Sequence, residues 1–283
     1  MSPKLRDYQR SGNKRIKEAW TRVRRVLAVA PTGAGKGTMA VALICDALKR
    51  RKRVLFLVHR REIVEDIVQR VRAVTRARVG VILSGYERDL TAPVHIASVQ
   101  SLCAVADAGR FDVVIADEAH HYRADEWWAV LERVGQDACI VGFTATPQRA
   151  DGKAMGDVFE ELVDVVSYSA LLEAGHIVPC RVFRPPYPLD GDIAQAPVTA
   201  YQRHAQTGTA LIFVPNVKEA IQVSESFAEA GIPSEVIHAR TKRSKRHRVF
   251  AALRNGTLRV VVNVHTMTEG VDLPTVDTLV LAR

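Results

Sequence analysis

Lys36 follows the turn Thr32, Gly33, Ala34, Gly35 in the stretch VLAVAPTGAGKGTMAVAL, residues 26–43. An apolar run, a Gly-rich turn carrying a lysine and the start of a helical pattern make a P-loop, whose backbone N–H groups and lysine cradle nucleotide phosphates. Such a loop ordinarily ends in Lys-Ser or Lys-Thr, because that hydroxyl binds Mg²⁺. Here Gly37 takes the hydroxyl's place and Thr38 comes one position late, as the hydroxyl left to serve a metal. Phosphate cradling is expected to survive, since Mg²⁺ keeps several waters and needs few protein ligands.

The stretch FDVVIADEAHH carries the second group of reactive side chains. Asp117 and Glu118 close an apolar strand pattern, at the carboxyl edge where open α/β sheets bind ligands. An Asp there can hold the Mg²⁺ that bridges the β- and γ-phosphates, and a neighbouring Glu can orient and deprotonate an attacking water. A turn-capping acidic pair is the bland alternative, made weaker by the P-loop upstream. In GFTATP, Thr144 and Thr146 place two hydroxyls at the end of another buried strand pattern.

These groups need a parallel sheet to hold them, and the chain alternates short β-rich runs with helical patterns as such sheets do. Strands are expected at 26–30, 54–58, 79–83, 94–97, 113–116 and 139–143, and helices at 36–50, 61–73, 98–107 and 124–134. The stretch CRVFRPPYPLDGDIAQAP (180–197), with four prolines and no periodicity, reads as a linker. Beyond it the alternation resumes: a strand in TALIFV, a helix over 216–230, a strand in SEVI, a helix over 243–255, and strands in RVVVN and DTLVLA. This second lobe has no Gly-rich loop. The expected organisation is an ATP-binding lobe at 1–179, a Pro-rich linker at 180–199 and a second lobe at 200–283.

Composition bounds the partners. The chain has 283 residues, enough for two domains with their own cores, and its formal net charge of +9 favours a polyanionic partner. Two basic runs stand out, KRRKRV (49–54) and RTKRSKRHR (240–248); the first is expected to be a solvated face, the second to divide evenly between that and phosphate contact. No apolar run reaches the length of a membrane helix, and MSPKLRDYQR lacks a signal-peptide core, so a cytoplasmic protein without a membrane partner is expected. Cys45, Cys103, Cys139 and Cys180 have no metal-like spacing and read as buried reduced thiols.

In order along the chain, LRDYQ, APTGAGKGT, LVHRREI, IASVQSL, DEAH, FTATP, ALIFVPNVKEA and TEGVDLP resemble the motifs of superfamily 2 helicases and translocases. FTATPQRADGKAMGDVF and LLEAGHIVP resemble the type III restriction subunit-like branch that includes RadD-like proteins. The resemblance implies an α/β fold of two RecA-like lobes with parallel sheets, the P-loop in the first only, and an ATP- and Mg²⁺-dependent motor on DNA or, as second choice, RNA. Protein partners stay unknown.

The resemblance also implies roles. Lys36 would hold the β- and γ-phosphates, Asp117 would bind Mg²⁺, and Glu118 would be the catalytic base. Gln9 would read the adenine edge, with a solvated helix-start residue as the competing reading. His120, Thr144 and Thr146 would couple nucleotide state to the nucleic-acid groove, and Gly270 and Asp272 would approach the nucleotide from the second lobe. His59, Arg60 and Gln100 would lie near the nucleic-acid backbone, with Thr268 opposite, and Lys242, Arg243, Lys245 and Arg246 would add positive charge. For His59 a merely hydrogen-bonded strand-end histidine is an equal alternative.

The family's next motif, a Gln…Gly-Arg…Arg helix supplying an arginine finger worth ~10³–10⁵ in rate, does not occur in the sequence. On that ground the chain reads as a fragment with an incomplete second lobe and poor hydrolysis on its own. A non-hydrolysing ATP- and nucleic-acid-binding module is therefore an open alternative. GAGKGT also resembles the P-loop of adenylate kinases, which leaves a nucleoside monophosphate kinase as a remote one; DEAH, FTATP and the second lobe speak against it.

Overall fold

Parallel strands covered by helices on both faces need apolar side chains in every position. Val54–Leu57, Val94–Ala97 and Val113–Ala116 are buried at all four residues. The computed structural model describes residues 3–58, 63–86, 89–105, 108–122, 124–134, 137–148, 155–183, 196–205, 208–267 and 273–282, apart from the side chains of Ile63, Glu65, Asp66, Ala124 and Arg243. The chain divides into two compact units, 1–180 and 181–283.

The first unit runs α1 (Asp7–Ala19), β1 (Arg25–Val29), α2 (Lys36–Lys49), β2 (Val54–Leu57), α3 (Ile63–Val74), β3 (Val79–Ile82), β4 (Val94–Ala97) and α4 (Val99–Cys103). It continues with β5 (Val113–Ala116), a 3₁₀ turn (Ala119–His121), α5 (Ala124–Val134), β6 (Cys139–Thr144), β7 (Glu161–Asp164) and α6 (Tyr168–Glu173). Its parallel sheet has the order β3-β4-β2-β5-β6-β1-β7. Alternate residues feed opposite faces. Val113 and Ile115 of β5 join the core with Ile16, Met39, Ile44 and Val71, whereas Val114 and Ala116 join the one with Leu102, Trp127 and Val130. Helices α1, α2 and α3 therefore cover one face, and α4 and α5 the other.

The second unit runs α7 (Pro197–His204), β8 (Ala210–Phe213), α8 (Val217–Glu229), β9 (Ser234–Ile237), α9 (Arg243–Arg254), β10 (Val260–Asn263) and β11 (Thr278–Leu281). Its four-stranded parallel sheet has the order β11-β8-β10-β9. The expected α/β architecture of two parallel sheets is thus the observed one.

Some elements differ from expectation. Helix α7 begins inside the stretch read as linker: Pro197 sits in its first turn, where a missing N–H costs nothing. Helix α4 ends at Cys103, short of 107. α1 was not visible in the apolar pattern because its buried positions are Gln9, Gly12, Asn13, Ile16 and Ala19. A Cβ at Gly12 would stand 2.8 Å from Val165 and 2.9 Å from Met39, so only glycine lets the helix pack that closely. Of the cysteines expected to be buried, Cys45 is, Cys103 and Cys139 are half-buried, and Cys180 is exposed; none forms a disulfide. Among the described residues no helix is long and apolar enough to cross a membrane.

Candidate nucleotide site

Strand β1 delivers the P-loop in register with β6: Val29 pairs with Thr144, and the Ala30 N–H donates to the Thr144 carbonyl at 2.9 Å. The loop then turns through Gly33 (φ 86°) and Gly35 (φ 77°), left-handed positions that glycine takes at little cost. Gly35 caps α2 without any side-chain acceptor, which leaves the first N–H groups of that helix directed outward as an anion site. Helix α1 braces the tip. Tyr8 Oη and Gln9 Nε2 both donate to the Ala34 carbonyl, at 2.9 and 2.8 Å. Gln9 Oε1 accepts from the Arg6 N–H at 2.9 Å. Gln9 is buried, which removes the reading of it as a solvated helix-start residue.

Lys36 is only 9% exposed, and its Nζ lies 3.4 Å from both the Ala30 carbonyl and Glu118 Oε1. Glu118 adopts a left-handed backbone (φ 46°, ψ 54°), an uncommon conformation for a residue with a side chain and one that collects at functional sites. Its Oε2 faces His120 Nδ1 at 3.5 Å, outside hydrogen-bond geometry. Asp117 Oδ1 accepts the Glu118 N–H at 3.1 Å. Burial, and then the adjacent Glu118 charge, push the Asp117 carboxyl above its usual range, while Lys36 and Arg70 pull it back. A cation beside Asp117 would relieve that excess negative charge. Among the described residues no group of three or more His, Cys, Asp or Glu is arranged to hold a metal, so any metal here would draw most of its ligands from phosphate and water.

Thr144, completely buried, joins this pair to the FTATP segment. Its hydroxyl donates to the Thr146 carbonyl at 2.6 Å, accepts the Thr146 N–H at 3.1 Å, and meets His120 Nδ1 at 2.9 Å. A hydroxyl has one proton to give. With that proton on the Thr146 carbonyl, His120 must donate from Nδ1, which assigns the hydrogen to that nitrogen.

The two positions after Lys36 face different neighbours, because successive helical residues point about 100° apart. Thr38 Oγ1 lies 3.9 Å from where a Cβ on Gly35 would be, on the side braced by Gln9. At Gly37 the corresponding neighbour is Arg70 Nη1 of α3, at 3.4 Å. The Thr38 hydroxyl thus lies on the Gly35 side of the loop, and the position of the missing hydroxyl is lined by an arginine. No motif marks Arg70 in the sequence.

Gln100 is exposed on α4, donates to Glu126 Oε1 at 2.8 Å, and lines a cavity of about 320 Å³ with Leu83, Ser84 and Tyr86. In the second unit a groove of about 370 Å³ is lined by Val217, Ile221, Arg240, Lys242, Lys245 and Arg248, among others. The basic run is not one uniform face. Lys242 is exposed, as are Arg240 and Arg248, which the sequence reading did not single out. Lys245 pairs with Glu235 at 2.7 Å, and Arg246 donates to the carbonyls of Thr241, His238 and Ala239. That corrects the expectation for Arg246, whose guanidinium ties a loop. His59, Arg60, Thr268, Gly270 and Asp272, and the Arg243 side chain, lie outside the described residues.

Comparison with known proteins agrees with this geometry. The family described as "Type III restriction enzyme, res subunit" matches residues 2–149, and "Helicase conserved C-terminal domain" matches 194–283. A 51.5 kDa protein of a Lactococcus phage is 24% identical, over 89% of this chain and 58% of its own length. A putative mitochondrial ATP-dependent helicase, irc3, of Schizosaccharomyces pombe is 26% identical, over 98% of this chain and 52% of its own. The chain thus spans about half the length of these curated relatives. The ATP-dependent type ISP restriction-modification enzyme LlaBIII, solved bound to DNA, superposes with a TM-score of 0.72 at 17% identity, over 99% of this chain and 26% of that one. The chain belongs to the family of the type III restriction enzyme res subunit, and its second unit carries the helicase C-terminal domain.

Proposed function

We propose that this chain is the two-lobed motor of an ATP-dependent helicase or translocase acting on DNA, with lobes at 1–179 and 200–283 joined by 180–199. The observation that carries the reading is the 3.4 Å contact of Lys36 with Glu118, set beside the His120–Thr144 bond. One links phosphate grip to the base, and the other links the base's neighbour to a segment at the sheet edge. Lys36 and the α2 N-terminus bind the β- and γ-phosphates of ATP, and Gln9 reads the adenine edge. Asp117 is the carboxylate that would hold Mg²⁺, which when bound neutralises charge between the phosphates. Glu118 orients the attacking water and takes its proton.

His120, Thr144 and Thr146 pass the nucleotide state onward, and the second lobe's part in nucleotide binding is assigned to Gly270 and Asp272. Contact with nucleic-acid phosphates is the role we assign to His59, Arg60, Gln100, Thr268, Lys242, Arg243 and Lys245, with Arg240 and Arg248 added. The match to the type III restriction enzyme res subunit and the likeness to a DNA 3'-5' translocase favour DNA, while the solved structures of similar fold include both DNA-bound and RNA-bound proteins.

The test is ATPase activity of the protein with no nucleic acid, with single- or double-stranded DNA, and with RNA. DNA should stimulate most, and Glu118→Gln should abolish the stimulated rate. Equal rates in all conditions would overturn the motor reading, a Glu118→Gln variant as fast as the wild type would overturn the assignment of the base, and no hydrolysis in any condition would leave a binding module.

A further inference from the structure

Gly37 departs from the usual P-loop, and the structure shows what stands beside the gap. Arg70 Nη1 lies 3.4 Å from the point where a Cβ on Gly37 would sit. A Cβ there would be in ordinary van der Waals contact with the guanidinium, so Arg70 stands on the side that a hydroxyl-bearing residue at 37 would face. Arg70 sits on α3, which packs with α2 against the same face of the sheet. Its charge also reaches Asp117, where it opposes the rise in that carboxyl's pKa. A guanidinium offers a planar fork of donors that matches phosphate oxygens two at a time and, unlike a metal ion, does not leave.

We propose that Arg70 replaces the missing hydroxyl at the metal end of the P-loop and binds phosphate oxygens directly, so that this protein grips a nucleoside triphosphate even when Mg²⁺ is withheld. The inference rests on the reading of the loop as an ATP site. The unusual Lys-Gly sequence and Arg70 then form one device: the guanidinium faces the position that lacks a hydroxyl.

The experiment measures binding of a fluorescent ATP analogue by anisotropy, in EDTA and in saturating Mg²⁺. Arg70→Gln should weaken binding in EDTA by about tenfold or more, the worth of a charged hydrogen bond, and by less than about threefold in Mg²⁺. Arg70→Lys keeps the charge but loses the fork and should fall between. Adding Gly37→Ser to Arg70→Gln should restore the affinity in Mg²⁺ without restoring it in EDTA. Unchanged affinity in EDTA for Arg70→Gln, or equal losses in both buffers, overturns the proposal. Lys36→Ala separates the two layers. If it abolishes binding while Arg70→Gln does nothing, only the role of Arg70 falls; if it too binds normally, the ATP-site reading falls with it.

Discussion

Lys36 Nζ and Glu118 Oε1 lie 3.4 Å apart, so the group that grips phosphate and the group that activates water hold each other. A triphosphate entering the loop competes with Glu118 for the lysine. Glu118→Gln should therefore tighten ATP binding by about two- to fivefold, the worth of a partly exposed ion pair. The same change should lower hydrolysis by about 10²–10⁴, as expected for loss of a general base. Calorimetric titration paired with steady-state ATPase checks both, and a variant that binds more weakly than wild type would contradict the competition.

Thr144→Val keeps the shape of a buried side chain and removes a hydroxyl with three partners. It should destabilise the first unit by about 1–3 kcal/mol, the cost of stranding buried polar groups. ATP affinity should stay within about twofold, because the backbone bond from Ala30 to residue 144 survives. Thr144→Ser should restore most of the stability. Urea unfolding and nucleotide titration on the same preparations provide the comparison.

His95 is fully buried in β4, stacked edge-on against Phe111 at 5.3 Å, with neither ring nitrogen in hydrogen-bond geometry. Burial first, and the Arg53 charge second, hold its pKa below the ordinary value. The folded chain keeps the ring neutral where the unfolded chain takes up a proton. Its contribution is therefore whole above about pH 6.5, the unfolded value, and is lost as pH falls from there toward the folded one. His95→Phe should be less sensitive than wild type to a drop from about pH 7.5 to about pH 5. Parallel slopes for the two proteins would refute this.

In the second unit, Arg246→Ala and the pair Lys242→Ala with Arg248→Ala should do different things. The pair exposes its charge to solvent, so its loss should flatten the slope of log affinity for DNA against log salt by about one per residue. Arg246 ties the 238–241 loop, so its loss should lower thermal stability and leave the slope nearly unchanged. A slope change as large as that of the pair would return Arg246 to the nucleic-acid path.

The central strands were legible because they are buried on both faces and so read as unbroken apolar runs, as in VLFL and VVIA, whereas β7, with only Val163 buried in ELVD, was not. Helix α1 was not, because Gly12 and Asn13 lie on its inner face, where a periodic pattern needs apolar residues. Asn13 is there to donate to the Met39 carbonyl at 3.0 Å, a reason no hydropathy pattern carries. At the site, Lys36, Asp117 and Glu118 were marked by their spacing from strand ends. Arg70 was not, because it acts across two helices and its own sequence context is an ordinary amphipathic face. For Arg246 the partners are backbone carbonyls of the 238–241 loop, which a run of like charges does not reveal.

The contacts around Thr144 have a further property. From its carbonyl the path runs through the Ala30 peptide to Lys36; from its hydroxyl it runs through the His120 hydrogen bond, then across the unbonded 3.5 Å approach of His120 to Glu118, to the same lysine. The two arms close a ring. In a ring every pair of members stays connected after any single cut, so one substitution degrades communication without severing it. Isolating a member takes two lesions. The backbone arm cannot be cut by changing a side chain at 30 or 144, which leaves Lys36 as the one place where a side-chain change interrupts both arms at once.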